Sequence, residues 1–312
     1  MQKKKAISVG IETNSHFLRA VKLGRNEKSK THTILGMEEI RGDYSNDQNL
    51  VDSLKKVKDK LSISPFDRVI TCLGGKKTFV YQLKFRRLPE EEMKNALRLE
   101  IRKSLPFDIS AAIIDYLISG ESNQAEDYDQ VIVTAVTSTL LNRHLGVFKR
   151  AGIKPVIVDL LPLAAANSFW ESNRGITASD STQVMLHIGP KFTNIIIDGN
   201  KSSFFHRTVY FDAIEVFDGD QNTSNTNLFK NSKLLDLRDE VMRTLTFYSN
   251  SFNHSDFSSI HLMGDFSNKD MAEFFLKHSN IPTEVNDLAR SIYPHLDNET
   301  EKFNIATSLS MR

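Results

Sequence analysis

Three short turns and one pair of charged side chains have the types and spacing to do chemistry in this sequence. Gly10-Ile11-Glu12-Thr13-Asn14-Ser15 and His187-Ile188-Gly189-Pro190-Lys191-Phe192-Thr193 each follow an apolar, β-prone run. Small residues in such a turn let backbone N–H groups approach a phosphate, and an acid there holds a metal ion or its waters. Glu12 is the acid of the first turn, with Thr13, Asn14 and Ser15 beside it. The second turn starts with His187 and has no acid. Its Pro190 has no N–H to donate, Gly189 leaves room, and Lys191 can meet phosphate as a point charge. In Leu262-Met263-Gly264-Asp265-Phe266-Ser267, at a strand end before a helix, Gly264 would let a base or sugar approach. Glu240 and Arg243 share one face of a helix over 234–252 and could reach a ribose and a base from the side. The competing readings are two ordinary hairpin turns and an exposed ion pair.

Other chemistry is hard to find. Nine histidines are scattered, with no H-E-x-x-H or comparable metal spacing. The single cysteine, Cys72, sits in the apolar run VITCL and reads as core. It excludes an internal disulfide framework and a multi-cysteine metal cage, so a reduced cytosol is the expected home. Neither phosphate-loop glycine motif occurs. A net charge of +1 gives no broad basic field for nucleic acid. No apolar run approaches the ~20 residues that span a bilayer. The lysines at 3–5 read as a solvated start to a strand, with contact to anionic lipid as the alternative.

These turns must be positioned by the elements around them, and 312 residues predict two lobes. KAISVGI, FLRAVKL and HTILGMEEI alternate as strands. A helix over 47–61 keeps Leu50, Val51, Leu54, Val57 and Leu61 on one face. A strand at 67–73 follows. The order β-β-β-α-β departs from the strict alternation of a dinucleotide-binding fold. After a strand at 78–87 comes a helix at 89–105, with Pro89 in its first turn, three glutamates near its positive end, and Pro106 as its stop. Strands at 113–118 and 130–136 flank a polar hairpin loop at 121–129. A helix at 138–151 ends at Gly152, and a strand at 154–162 leads into an apolar helix. The polar stretch 171–182 marks a boundary, after which strand, polar turn and strand recur from residue 183. Residues 217–233 read as a polar loop. Helices are expected at 234–252, 268–280 and the C-terminus.

Several segments together resemble the PilM family of actin-like proteins, and more distantly FtsA. Ser8-Val9-Gly10-Ile11-Glu12 to Ala20-Val21-Lys22-Leu23 resembles the family's opening hairpin, G-I-D-I-G-S-x-x-I-K-x-V-x-L. LPEEEMKNALRLEIRKSLPFDISAAIIDY resembles its inserted-subdomain helix and P-F turn. AVTSTLLNRHLGVFKRAGIKPVIVDLLPLAAANSF resembles its A-G-L-x-P and D-x-x-P segment. Leu237 to Tyr248, Leu262 to Ser267 and Asn280-Ile281-Pro282 resemble its adenosine-side helix, turn and following I-P. The resemblance implies an α/β, actin-like ATPase (ribonuclease H-like) two-lobed fold with an inserted FtsA/PilM-type subdomain. It places a first lobe at 1–170, the insertion at about 86–153, a linker at 171–182 and a second lobe at 183–312.

The same resemblance implies a cytoplasmic component, peripheral at the inner membrane, of a type IV pilus or related secretion platform. Its expected partner is the cytoplasmic tail of a PilN-like bitopic protein, with PilB-like ATPase and PilC-like platform proteins as further contacts. Phe79, Tyr81 and Phe85 either line the groove for that tail or are core. ATP with magnesium is the cofactor the family's cleft implies. The departures fall there: Glu12 for Asp, Asn14 for Gly, His187 for Asp, the inserted Pro190, and Asp265-Phe266 in place of glycines. They predict weak or lost ATP binding and a scaffold, not an enzyme. The alternatives are an active actin-like ATPase that cycles or polymerises, and a carbohydrate kinase of the same superfamily.

Overall fold

The computed structural model describes residues 6–26, 31–119, 127–173, 182–198, 204–217, 232–253, 256–296 and 300–312. The lysines at 3–5 lie outside these residues. So does most of the expected hairpin loop 121–129, of the boundary 171–182 and of the loop 217–233.

β1 (Ala6–Thr13), β2 (Phe17–Arg25) and β3 (His32–Arg41) form an antiparallel ribbon, and α1 (Asp47–Lys60) leads to β4 (Arg68–Leu73). Next come β5 (Thr78–Arg86), α2 (Glu90–Glu100), β6 (Ala112–Ser119), β7 (Tyr128–Thr137), α3 (Ser138–Arg150), β8 (Pro155–Leu160) and α4 (Leu161–Ser172). A second antiparallel ribbon follows, of β9 (Thr182–Ile188), β10 (Phe192–Asp198) and β11 (Phe205–Tyr210). The chain ends with α5 (Ala213–Phe217), α6 (Ser232–Phe252), β12 (Phe257–Met263), α7 (Lys269–Ser279), β13 (Thr283–Val285), α8 (Leu288–Ile292) and α9 (Asn304–Ser310). α5 and α8 have no counterpart in the sequence reading, because five residues cannot display a 3.6-residue period.

The strands make two five-stranded sheets, β3-β2-β1-β4-β8 and β11-β10-β9-β12-β13, and a three-stranded sheet, β5-β7-β6. The two larger sheets share one scheme: an antiparallel ribbon whose first strand pairs in parallel with the next strand along. Two compact units divide the chain. One comprises Met1–Leu73, Leu141–Arg174 and Asn286–Arg312, the other Gly74–Leu140 and Gly175–Val285.

In the first unit, alternate residues of β1 face opposite ways. Val9 and Ile11 join Val51, Leu54 and Val57 of α1 and Val147 and Phe148 of α3 in one core. Ser8, Gly10 and Glu12 face the other way, toward α9. Ser8 Oγ donates to the Ser310 carbonyl. A Cβ on Gly10 would overlap the Ala306 carbonyl oxygen and lie 2.6 Å from the Ser310 nitrogen. The helix is held further by Ser308 Oγ donating to the Ala164 carbonyl at 2.9 Å and by Asn304 Oδ1 accepting the Leu288 N–H at 2.7 Å. On the α1 side, buried His144 Nε2 lies 3.1 Å from Thr71 Oγ1, and burial lowers its pKa to about 4.

In the second unit, Val184, Leu186, Ile195, Ile260 and Leu262 pack against Leu237, Val241 and Leu245 of α6 and Phe274 and Phe275 of α7. The small sheet packs Val131, Val133 and Ala135 on Met93, Leu97 and Ile101. Met93, Leu97 and Ile101 recur at i, i+4 and i+8, the spacing of one helix face. α2 is shorter than the expected 89–105. Pro89 caps it, and it ends at Glu100 in a 3₁₀ turn, Ile101–Lys103. Pro106 disfavours the helical region for Leu105, and the helix gives way to the 3₁₀ turn before it. Arg98 then holds the P-F loop, its Nη2 donating to the Ile109 carbonyl at 2.5 Å and its Nη1 to that of Ala112 at 3.2 Å.

The seat of α9 on Gly10 predicts opposite outcomes for two glycine substitutions. Gly10→Ala should cost about 1–3 kcal/mol or more by overpacking. Gly146→Ala, on α3 with no atom near its Cβ position, should gain up to about 1 kcal/mol. Urea denaturation measures both, and equal effects would contradict the packing argument.

Candidate functional site

The first turn is smaller than its motif. Glu12 and Thr13 belong to β1, and Glu12 is only 2% exposed. It stands in a row of charge across the sheet. The register sets Glu12 opposite Arg19, and Arg19 opposite Glu39. Arg19 Nε meets Glu39 Oε2 at 2.6 Å, and its Nη1 donates to the Lys302 carbonyl at 2.9 Å. Burial would raise the Glu39 pKa. The Arg19 charge and hydrogen bonds from Arg41 and Arg19 overcome that and hold it at about 2. On the other side of Glu12 lie Cys72 and its partner in register, Asp159. Burial, then the Glu12 and Asp159 charges, push the Cys72 thiol well above its usual pKa. Asp159 Oδ2 is held by Arg312, with Nη2 at 2.6 Å and Nε at 3.0 Å.

Asn14 closes the turn with its own side chain. Asn14 Oδ1 accepts the N–H groups of His16 at 2.8 Å and Phe17 at 2.9 Å. Short polar side chains favour such local bonds. They use two N–H groups of the kind a phosphate would need. Ser15 Oγ lies 2.8 Å from His16 Nδ1, and the Ser15 carbonyl accepts the Tyr44 N–H at 2.9 Å.

The second and third turns meet in the other unit. Met263 pairs with His187 at the ends of β12 and β9. Gly264 has φ +100°, and a Cβ there would stand 2.6 Å from the Ile188 carbonyl oxygen. Its lack of a side chain therefore serves strand packing. Phe266 stacks on Phe217 with ring centroids 5.1 Å apart. Gly189 N–H donates to the Phe192 carbonyl at 3.1 Å, and the Lys191 carbonyl accepts from Phe211. Lys191 Nζ is exposed, 4.0 Å from Asp212. Glu240 and Arg243 form an ion pair at 2.6 Å, and Arg207 of β11 reaches Glu240 at 2.8 Å.

On the small sheet, Phe79, Tyr81 and Phe85 share the α2 face by alternation and register. Phe79 and Phe85 pack against the core there. Tyr81 is 44% exposed and stacks on Phe79 at 5.8 Å. Phe85 lies further along β5, opposite Asp129. Sequence reasoning missed Ile113, Leu117 and Ile118, which are exposed on β6, an edge strand. IIDYLI announces a strand but not which face stays uncovered. Among the described residues, no cluster of histidine, cysteine or carboxylate side chains could hold a metal. No described helix is long and apolar enough to cross a membrane.

Two sheets of the same strand scheme, with a small sheet inserted after the fourth strand, define an actin-like ATPase fold. The chain belongs to the family of type IV pilus assembly protein PilM, whose model matches residues 10–226. A solved PilM–PilN type IV pilus biogenesis complex is similar in fold, with TM-score 0.82 over 98% of both chains at 17% identity. A protein of unknown function with actin-like ATPase fold from Bacteroides thetaiotaomicron matches at TM-score 0.50 and 12% identity, covering 99% of this chain and 97% of that one. The ethanolamine utilization protein EutJ from Carboxydothermus hydrogenoformans matches at TM-score 0.51 and 10% identity, covering 98% and 89%. No curated protein matches the sequence.

The charge row yields one prediction. Arg19→Met leaves buried Glu12 without the cation opposite it, while Glu39 keeps Arg41 and Lys302. Breaking a buried pair in this way costs about 3–5 kcal/mol. A denaturant titration that finds Arg19→Met as stable as the parent would contradict the assigned role.

Proposed function

We propose that the chain is a non-catalytic scaffold of a type IV pilus inner-membrane assembly platform. It works at the cytoplasmic face and holds the cytoplasmic tail of a PilN-like bitopic membrane protein. One observation carries the reading: the turns that resemble phosphate cradles spend their small residues and N–H groups on the protein itself. Gly10 makes room for α9, Gly264 for β9, and Asn14 takes up the N–H groups of its own turn. Glu12, the acid that would hold magnesium, is buried opposite Arg19. Residues so engaged fit ATP–magnesium poorly, and no catalytic step is assigned to them.

The small sheet supports the partner side. An extended tail can add to an open strand edge or lie across exposed rings and aliphatic groups. Tyr81 stacked on Phe79, and the exposed apolar residues of β6, offer both. The PilM–PilN complex of similar fold agrees with a tail of this kind. PilB-like and PilC-like components are the further contacts proposed for such a platform.

The test is fluorescence anisotropy with a labelled peptide of the partner's cytoplasmic tail and the full chain. Saturable binding is expected, weakened about tenfold by Tyr81→Ala, the size of loss typical of a central aromatic contact. A parallel titration with a fluorescent ATP analogue and magnesium should show no micromolar binding. Micromolar ATP affinity, or a tail peptide that does not bind, would sink the proposal.

A further inference from the structure

We propose that the edge of the first unit where β1, β4 and β8 begin docks on an anionic membrane surface, with the Phe66 ring inserting. The three strands are parallel, and register sets Ser8 level with Arg68 and Val69 level with Pro155. The loop before β4 therefore projects from this edge. Asp67 ties the loop, accepting the Ser64 N–H and hydroxyl at 3.0 Å each, while its own N–H donates to the Ser64 carbonyl at 3.1 Å. Lys22 anchors it from below, with Nζ 2.9 Å from Asp67 Oδ2 and 2.8 Å from the Ser62 carbonyl. A turn tied this firmly presents Phe66 at 90% exposure. Phenylalanine is ordinarily among the most buried residue types.

Exposed cations share this edge with the ring: Arg68 two residues on, and Lys154, next to the Pro155 that pairs with Val69. The apolar Pro65 and Val156 are exposed there too. Arg25 ends β2 at the same edge, paired with Ala6. Arg68 Nη1 donates to the Arg312 carbonyl at 2.7 Å, while the Arg312 guanidinium is committed to Asp159 and adds no free charge. Among the described residues the acids are Asp59, which is exposed, and Asp67, which Lys22 neutralises; Glu38 pairs with Lys60 at 2.7 Å. Basic residues in the last turns of α1 and α3 have a structural reason, since they complement the negative helix ends. Arg25, Arg68 and Lys154 lie on strands and a loop, where that reason does not apply. With a chain net charge of only +1, the described residues of this edge are a local concentration of positive charge.

The choice of lipid rests on the single ring. Binding to a nucleic-acid strand uses successive aromatic platforms along a groove. One aromatic tip with aliphatic flanks inside a basic rim suits the headgroup boundary of an anionic bilayer.

The test is co-sedimentation of the full chain with vesicles of phosphatidylcholine, with and without phosphatidylglycerol. Binding is expected only to the phosphatidylglycerol vesicles, and added salt should weaken it. Lys154→Ala should lower the partition coefficient about fivefold, the value of one cation near such a surface. Phe66→Ala should lower it further, with an unchanged thermal melt because the side chain is exposed. The proposal is overturned by equal binding to both vesicle types, by undiminished binding of Phe66→Ala, or by tighter binding to a single-stranded oligonucleotide. No partner protein is used, so failure here leaves the tail-peptide reading standing.

Discussion

The contact between Gly10 and α9 sets the architecture of the first unit. A helix can approach a strand this closely only where the strand carries no side chain, and Gly10 supplies that place directly under Ala306 and Ser310. Once seated, α9 closes one face of the sheet while α1 and α3 close the other. The ends of α9 then reach the charged side chains beneath it, Lys302 toward Arg19 and Arg312 toward Asp159. Packing and electrostatics thus depend on the same few ångströms.

The row Glu39–Arg19–Glu12–Cys72–Asp159 follows from that closeness. Charges under a helix have lost their water, and each must find a partner within the protein. Arg19 sits between two acids, and Arg312 covers the third. These charges are bound into the fold. The Asn14 turn shows the same economy with backbone N–H groups, and Gly264 shows it with space.

Much of this was legible in the sequence. The alternation of the first three strands, the helix face Met93, Leu97 and Ile101, and the Pro106 stop all carry direct physical signals. The recurrence of strand, turn and strand from residue 183 pointed to the doubled sheet. The depth of Glu12 was not legible, because a strand covered on both faces does not reveal which alternate set meets charge. The seat of α9 was hidden for a different reason. FNIATSLSM reads as a helix, but nothing in it names a glycine near the other end of the chain. The turn chemistry lay between these cases. Asn14 is a residue that bonds to its own backbone, and that property, more than its bulk, is what occupies the turn. Tyr81 and Phe85 look equivalent on β5, but Phe85 packs against the small core and Tyr81 stays exposed, a difference that alternation along the strand does not reveal.

An actin-like fold is usually discussed as a nucleotide machine, but its parts are separable. On the proposed reading, the residues of the nucleotide-type turns serve packing and turn closure instead, while the small sheet keeps an exposed ring and an open edge. If the chain is the proposed scaffold, the partner's tail binds without nucleotide. The most direct measurement is the affinity of the tail peptide for the full chain with and without saturating ATP–magnesium. A scaffold gives the same dissociation constant in both. Binding that appears only with ATP, or tightens with it by tenfold or more, would contradict it.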